Sequence, residues 1–332
     1  MNSKVDVLES ELIEKYPGVL DILLNDRTTN KNIFWATNNY KHLGEFYEYN
    51  SQITSELIVG DYGSIIMPRV HKDKILQLSR SKEMAEVFTP SWVCNAQNNL
   101  VDNSWFGFEN AFNKEIILET GIKSWVTNKD KISFPTGKTW IDYVIDTRLE
   151  ISCGEAPYII SRYDTTTGEF ISVENRIGLL DRKIRVVNEN VDLEDKWIDA
   201  IQKAYQSTYA FEWQGDSLLL AREAMLITFI ENYTLKFGGE PSLESIQNIA
   251  YIISWNVWQM DGLKGIIPNS CSDEIIEKSD LFGNSEKVIA KCKGCSTQNI
   301  MLHNGIYCNI MDWEHIENNI GNKIRFVDLL NK

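Results

Sequence analysis

The sequence predicts an α/β protein built around a mostly parallel, twisted sheet. From about residue 140 onward, short apolar runs alternate with long amphipathic segments. This alternation is typical of strand–helix–strand units whose strands run in parallel. The chain has 332 residues, of which 43% are hydrophobic and 24% charged. That composition supplies the apolar material for one large domain with an accessory region and argues against disorder.

The segments after residue 140 are predicted to be strands and helices, as the α/β class requires. Residues 148–152 and 208–213 have the pattern of buried strands, and residues 249–263 are predicted to supply a further strand. Residues 197–205 and 217–237 have helical periodicity, the second over a long apolar stretch. The loop at 163–176 is predicted to be an excursion between the first strand and the next.

The N-terminal third is less regular. Residues 4–25 predict an amphipathic helix broken at Pro17-Gly18, and residues 52–68, rich in β-branched residues and glycine, predict a strand pair. Residues 68–82 are basic, and the ordinary interpretation of such a run is a solvated helix face. We therefore divide the chain into an N-terminal α/β accessory region (1–84), a core (85–285) and a small C-terminal cysteine/histidine element with the last strand (286–332).

Charge and cysteine content limit the function classes. The formal net charge of −14 is unfavourable for a protein that binds nucleic acid alone, so a DNA contact needs a local basic surface or a basic partner. There is no run of 18 apolar residues, and the N-terminus is acidic where a secretory signal would be basic. We expect a cytoplasmic protein with reduced cysteines and no membrane partner.

Three acidic positions lie near the ends of predicted strands. Glu150 opens the stretch "EISCGEAPY" (150–158), where small residues and a glycine leave backbone amides accessible; the other interpretation is a plain buried turn. Glu212 lies near the end of the second strand and Asp261 near the end of the third. Ligands of parallel sheets bind beyond the carboxyl ends of the strands, and a carboxylate there accepts hydrogen bonds from vicinal ribose hydroxyls. The three positions predict a nucleoside site.

The order "AEVFTPSWVCNAQ" (85–97), "EISCGEAPY", "YAFEWQGDSLLLAREAML" (209–226) and "WQMDGL" (258–263) resembles the motif order of amino-group DNA methyltransferases. These enzymes use S-adenosylmethionine (SAM), and the adenine-N6 type occurs in restriction–modification systems. The chain is also similar to short bacterial proteins labelled restriction endonuclease subunit M. The resemblance spans about residues 85–265 and implies a Rossmann-like SAM methyltransferase fold.

The resemblance also implies roles for individual residues. The FTP element would flank the methionine end of SAM, the glycine turn would approach the cofactor, and the two later acidic residues would contact the ribose and the adenine. Trp213 would pack against the SAM adenine. Two positions depart from the family pattern, since Glu150-Ile151 replaces Asp-Pro and Ala156 replaces the last glycine. The implied cofactor residues are Phe88, Thr89, Pro90, Glu150, Cys153, Gly154, Glu212, Trp213 and Asp261.

The catalytic tetrapeptide of that family, an Asp, Asn or Ser followed by two prolines and an aromatic residue, is absent from all 332 residues. In the family it accepts hydrogen bonds from the target amine while its ring stacks on the flipped base. Asn38, Asn39 and Tyr40 offer a polar, polar, aromatic alternative. The other interpretation of "TNNY" is an ordinary turn with an aromatic anchor.

The C-terminal segment "CKGCSTQNIMLHNGIYC" places Cys292 and Cys295 two residues apart, with His303 and Cys308 after them. Three cysteines and one histidine form a known tetrahedral zinc set, which predicts a structural zinc knuckle. The alternative is a group of reduced, half-buried thiols beside a surface histidine.

Three functions remain open at this point. The leading hypothesis is a SAM-dependent DNA methyltransferase of a restriction–modification system, with adenine N6 as its target. The second is a catalytically incomplete subunit that binds SAM or DNA and needs a restriction or specificity subunit as partner. The third is a different modification of nucleic acid on the SAM-binding fold.

Overall fold

The computed structural model describes residues 5–83, 86–87, 89–279, 285–317 and 320–331. The N-terminal region contains short elements, which are α1 (Glu9–Lys15), α2 (Val19–Leu24), β1 (Asn25–Asp26), β2 (Lys31–Asn32), α3 (Ser55–Ile58) and α4 (Lys74–Glu83). Strands β1 and β2 pair antiparallel. The predicted break at Pro17-Gly18 is confirmed, because Gly18 adopts a left-handed φ of 78° between α1 and α2.

The strand pair predicted over residues 52–68 is wrong. Helix α3 and a 3-10 turn at Gly60–Tyr62 occupy this segment, and only an isolated bridge joins Gln52 to Phe34. Its β-branched residues Ile53, Ile58 and Ile66 are all buried in the core. Their irregular spacing does not alternate as a strand's would, so each residue anchors a turn to the core.

The middle of the chain places a hairpin beside a long helix. These elements are α5 (Ser91–Phe106), β3 (Asn113–Ile117), β4 (Lys123–Thr127) and α6 (Trp140–Ile145). Strands β3 and β4 pair antiparallel. Helix α6 begins at a capping box in which the Thr139 and Asp142 side chains each accept from the other's backbone N–H.

The central sheet has three parallel strands in the order β5 (Arg148–Ile151), β6 (Thr208–Glu212) and β7 (Val257–Gln259). Two helices join each pair of strands: α7 (Leu179–Asn190) and α8 (Glu194–Gln206), then α9 (Gly215–Phe237) and α10 (Leu243–Asn256). Ala210 pairs with Glu150 on one side and Val257 on the other. The predicted α/β class and parallel sheet are confirmed over this region. The described residues form three parallel strands rather than a broad sheet.

Helix α9 lies at the centre of the molecule. It is apolar around most of its circumference, and most of its residues are buried, which is the pattern of a helix enclosed on all sides. Its first residue, Gly215, approaches Phe34 so closely that a Cβ atom would lie 2.1 Å from the Phe34 carbonyl oxygen. Only glycine permits this contact between the N-terminal region and the sheet.

The C-terminal part adds antiparallel hairpins, whose elements are β8 (Glu274–Ser279), β9 (Ser285–Ala290), α11 (Lys293–Thr297), β10 (Asn309–Glu317) and β11 (Ile320–Arg325). The main core runs from Leu12 to Val257, and a smaller one forms around Phe211, Trp258 and Ile310. Within the described ranges, no helix combines the length and apolarity needed to cross a membrane.

Candidate functional site

A cavity of about 680 Å³ opens beyond the carboxyl ends of β5 and β6. Four predicted cofactor residues line it, namely Cys153, Gly154, Glu212 and Trp213. This is the position at which parallel sheets bind ligands, because strand ends and loops leave a crevice there. The volume lies within the range of small-molecule sites, about 300–1,000 Å³.

The turn after β5 has a strained backbone that brings it against the end of β6. Ser152, Gly154 and Ala156 have positive φ angles of 49°, 56° and 58°. The Gly154 N–H donates to Glu212 Oε2 at 2.8 Å. The predicted cofactor turn and the predicted ribose carboxylate are therefore in direct contact. Left-handed conformations cost about 1 kcal/mol or more at residues other than glycine, and they concentrate at functional sites.

Glu212 is held by backbone amides on both sides. Besides Gly154, its carboxylate accepts from the N–H of Trp213 at 2.8 Å and of Gln214 at 3.1 Å. Burial raises the pKa of Glu212, while the three N–H donors oppose that rise. The carboxylate is fixed in one orientation at the floor of the cavity, as ligand recognition requires.

Glu150 lies close to the Glu212 carboxylate but does not line the cavity. Its Oε2 accepts from the Ile159 N–H at 3.2 Å, so the side chain braces the turn from within the protein. Burial raises the pKa of Glu150 well above its ordinary value, and the nearby Glu212 adds to the rise. The structure thus gives Glu150 a supporting position, whereas the sequence predicted contact with the cofactor.

The cavity offers ligand contacts rather than an activated nucleophile. Burial, followed by the charges of Glu150 and Glu212, raises the pKa of the Cys153 thiol well above its ordinary value, which disfavours the reactive thiolate. Trp213 donates from Nε1 to Tyr49 Oη at 2.7 Å, and both rings line the cavity. Among the described residues that line it, none is a histidine.

Three other predicted cofactor residues lie outside the cavity. The Thr89 carbonyl accepts from Thr165 Oγ1, and Pro90 precedes α5, so both support the loop beside the turn. Asp261 pairs with Lys264 at 3.2 Å and accepts from the Leu263 N–H, because the chain turns back immediately after β7. Phe88 lies outside the described residues.

The three candidate catalytic residues are not together at the cavity. Tyr40 is 6% exposed, packs on Trp35 and donates to Asp216 at 2.9 Å, so its ring serves as a core anchor. Asn38 lines a separate space of about 220 Å³, which shares Tyr49 with the main cavity. Asn39 has a buried amide nitrogen without a hydrogen-bond partner in the described part of the chain. The ordinary-turn interpretation of this segment therefore fits the geometry.

Sequence reasoning missed a buried ionic cluster that forms part of the cavity wall. Arg80 is 0% exposed, and its guanidinium donates to Asp216 at 2.7 Å, to Gln214 at 2.7 Å and to Ser217 at 3.2 Å. The interpretation of residues 68–82 as a solvated helix face is wrong at Arg80 and at Lys72, which is 6% exposed and lies 3.6 Å from Asp216. No pattern in the sequence identified Asp216 as the partner of Arg80.

A second cluster lies in the C-terminal part. The ligand atoms of Cys271, Cys292, Cys295 and His303 all lie within 4.8 Å of one another, and this group could hold a metal ion. Cys271 Sγ is 3.6 Å from Cys295 Sγ, and His303 Nδ1 is 3.7 Å from the sulfurs of both Cys292 and Cys295. The predicted cysteine/histidine element is confirmed in three of its four members.

The fourth member is Cys271, and the prediction of Cys308 was wrong. Tyr307 points to the cluster, since its hydroxyl accepts from the His303 N–H. Adjacent residues of an extended chain point to opposite faces, so Cys308 faces the smaller core, with Sγ 3.4 Å from the Gln259 carbonyl oxygen. Cys271 arrives from the loop after β7, far away in sequence from Cys292.

The Cys292 sulfur has the surroundings of a metal-binding thiolate. Burial opposes its ionisation, but N–H groups of Cys295 and Asn304 and the His303 ring together lower the pKa of Cys292 to about 6. The Asn304 N–H donates to this sulfur at 3.4 Å. Backbone donors of this kind stabilise the thiolate form that binds metals.

Comparison with known proteins adds no assignment. No protein-family model matches the chain, and neither the curated proteins nor the solved structures include a match to it.

Proposed function

We propose that this chain binds S-adenosylmethionine in the cavity at the sheet edge and acts in DNA modification, with adenine N6 as the target. One observation carries the proposal: the Gly154 amide and the Glu212 carboxylate meet at the ends of two parallel strands, on the floor of a cavity of about 680 Å³. In our interpretation the three-stranded unit is a reduced Rossmann-like core, in which this position receives the nucleoside.

The residues present fit a nucleoside. A carboxylate offers about four acceptor positions, and backbone amides use three of those of Glu212. An acceptor position remains for a ribose hydroxyl. The half-buried Trp213 ring offers an apolar face to an adenine, and its fixed hydrogen bond to Tyr49 holds it in place.

SAM supplies an activated methyl group on a sulfonium, so the chain itself needs no strong base. The residues of the cavity then bind and orient the cofactor and exclude water from it. The neutral Cys153 thiol is consistent with this role, because a thiolate at this position would compete for the methyl group.

A second candidate is a catalytically incomplete subunit that binds SAM and requires a partner, such as a restriction or specificity subunit, for transfer to DNA. The buried position of Tyr40 favours this candidate, because a ring enclosed in the core cannot stack on a flipped base. The net charge of −14 favours it as well, since a basic partner would then supply the DNA contacts.

The test measures SAM binding by calorimetry and tritiated methyl transfer from SAM to unmethylated DNA. We expect SAM to bind, and Glu212→Gln to weaken binding by about tenfold or more, since a lost charge-assisted hydrogen bond is worth about 1.5–3 kcal/mol. Glu56→Gln, an exposed position on α3, is the matched control. Binding without transfer selects the subunit hypothesis. Unchanged binding in Glu212→Gln removes the cofactor assignment.

We propose further that the Cys271–His303 cluster holds a structural zinc ion. Tetrahedral zinc–thiolate bonds of about 2.3 Å place two sulfurs about 3.8 Å apart, close to the 3.6 Å between Cys271 and Cys295. Four protein ligands leave no open position, so the metal would tie the loop after β7 to residues 292–303 and would not activate water.

A further inference from the structure

Two charged residues that line the cavity come from a segment that the nucleoside assignment does not use. Lys82 lies in the last turn of α4, and Glu86 follows that helix. The Lys82 side chain is exposed at the cavity, and no hydrogen bond or ion pair engages it within the described residues. A cation and an anion, four residues apart in the sequence, therefore line the same ligand-sized cavity.

Arg80 fixes Glu86 against the rest of the cavity wall. Its Nε donates to Glu86, while its other nitrogens donate to Gln214 and Ser217, which also line the cavity. Because the Arg80 side chain is 0% exposed and bonded on every side, the position of Glu86 is set by the core rather than by solvent. A preorganised group of this kind binds a ligand at low entropic cost.

The Glu86 carboxylate lacks one donor. Its Oε2 accepts from Arg80, but its Oε1 is buried and has no hydrogen-bond partner among the described residues. The side chain as a whole is 7% exposed. A buried carboxylate oxygen without a donor is costly, so a ligand that brings a donor to it gains binding energy.

We infer that Lys82 and Glu86 recognise a zwitterionic α-amino-acid tail on the ligand of this cavity. Glu86 accepts from the ammonium group of the tail, and Lys82 donates to its carboxylate. This inference rests on the proposed function, because it assigns the non-nucleoside end of the same ligand. It replaces the role predicted for the FTP element, whose Thr89 and Pro90 do not line the cavity.

The experiment compares two nucleosides that differ only beyond the thioether. S-adenosylhomocysteine carries the amino-acid tail, and 5′-methylthioadenosine lacks it. Calorimetry on the full chain should give at least about tenfold tighter binding of S-adenosylhomocysteine to the wild type. Glu86→Gln and Lys82→Met should each remove most of that preference and leave binding of 5′-methylthioadenosine within about twofold. Gln keeps an acceptor for Arg80, and Lys74→Met on the exposed face of α4 is the matched control.

The outcomes separate this inference from the function on which it rests. If both nucleosides bind the wild type equally, or if both variants keep the preference, the tail assignment is wrong and the nucleoside site stands. If neither nucleoside binds the wild type, the proposed function fails and the tail assignment fails with it. A variant that weakens the binding of both nucleosides equally would show that the substituted residue affects the whole cavity, which also overturns the inference.

Discussion

The cavity and the cysteine/histidine cluster are built in different ways. Three of the four potential ligands of the cluster lie within twelve residues, from Cys292 to His303. The walls of the cavity come from chain positions as distant as Ala36, Lys82, Cys153 and Ser217. A local cluster depends on turn geometry and donor chemistry, whereas the cavity depends on buried polar contacts between elements far apart in sequence. The two regions should therefore respond to different perturbations.

The largest effect should come from breaking the long-range contacts. We expect Arg80→Met to lower the free energy of unfolding by about 3–5 kcal/mol, because it removes the cation that pairs with buried Glu86 and leaves Asp216 with Lys72, at 3.6 Å, as its remaining cation. Burial favours the protonated form of Asp216, but Arg80 and then Lys72 hold the pKa of Asp216 well below its usual range. Urea unfolding measures the change, with Lys74→Met as the control. A loss below about 1 kcal/mol would contradict the importance of this contact.

The cluster should respond to metal removal and to the choice of cysteine. We expect Cys271→Ser to weaken zinc binding by about a hundredfold or more, which corresponds to about 2.7 kcal/mol, and Cys308→Ser to leave it within about twofold. The difference follows from geometry, since only Cys271 lies with the other ligand atoms. Zinc content after dialysis and competition with a chromogenic chelator measure the effect. Equal losses of zinc affinity in the two variants would show that Cys308 is a zinc ligand.

Helix α9 carries two buried carboxylates with different surroundings, Asp216 beside the cavity and Glu223 farther along the helix. Asp216 is paired, but no hydrogen bond to either oxygen of Glu223 or of Glu9 occurs in the described ranges. Burial raises the pKa of Glu9 to about 8, and the neighbouring Asp6 adds to the rise. Burial raises the pKa of Glu223 well above its ordinary value, and the nearby charge of Glu9 adds to the rise.

The folded state therefore holds these protons more tightly than the unfolded chain, whose glutamates titrate near pH 4.3. The contribution of Glu9 to stability is fully present below about pH 4 and is lost as the pH rises through about 8, and the contribution of Glu223 is lost in the same direction. We expect Glu223→Gln to reduce the loss of stability between about pH 5.5 and about pH 8.5 by about 2 kcal/mol. Urea unfolding at both pH values measures this, with Glu11→Gln on the exposed side of α1 as the control. An unchanged pH dependence would show that the folded state does not hold the Glu223 proton more tightly than the unfolded chain does.

The smallest effect should come from Asp261. Its carboxylate pairs with the partly exposed Lys264 and does not line the cavity. Although Asp261 is buried, Asn keeps an oxygen for the Leu263 N–H and Lys264 retains access to solvent, so we expect Asp261→Asn to cost about 1 kcal/mol and to leave S-adenosylhomocysteine binding within about twofold. Thermal unfolding and calorimetry measure the two quantities. Strongly weakened binding would show that Asp261 contacts the ligand and that the binding site reaches as far as β7.

Several features of the fold followed from local sequence. The alternation after residue 140 predicted β5, α8, β6 and α9, because burial on both faces leaves long apolar runs that are separated by amphipathic helices. Gly154 and Glu212 were identified as a turn and a strand end. The prediction failed at residues 52–68, where isolated β-branched residues anchor turns, and at Cys308, where the direction of one side chain decided the outcome.

By itself, the sequence determined the mixed α/β class, the acidic surface charge, the glycine turn and three members of the cysteine/histidine cluster, since each follows from periodicity or short spacing. Only the tertiary structure decided that Glu150 braces the turn, that Tyr40 is enclosed in the core, and that buried Arg80 holds Glu86 in the cavity wall. The physical reason is that a buried polar group must find a partner wherever the packing of distant elements places one, and no local pattern records that partner.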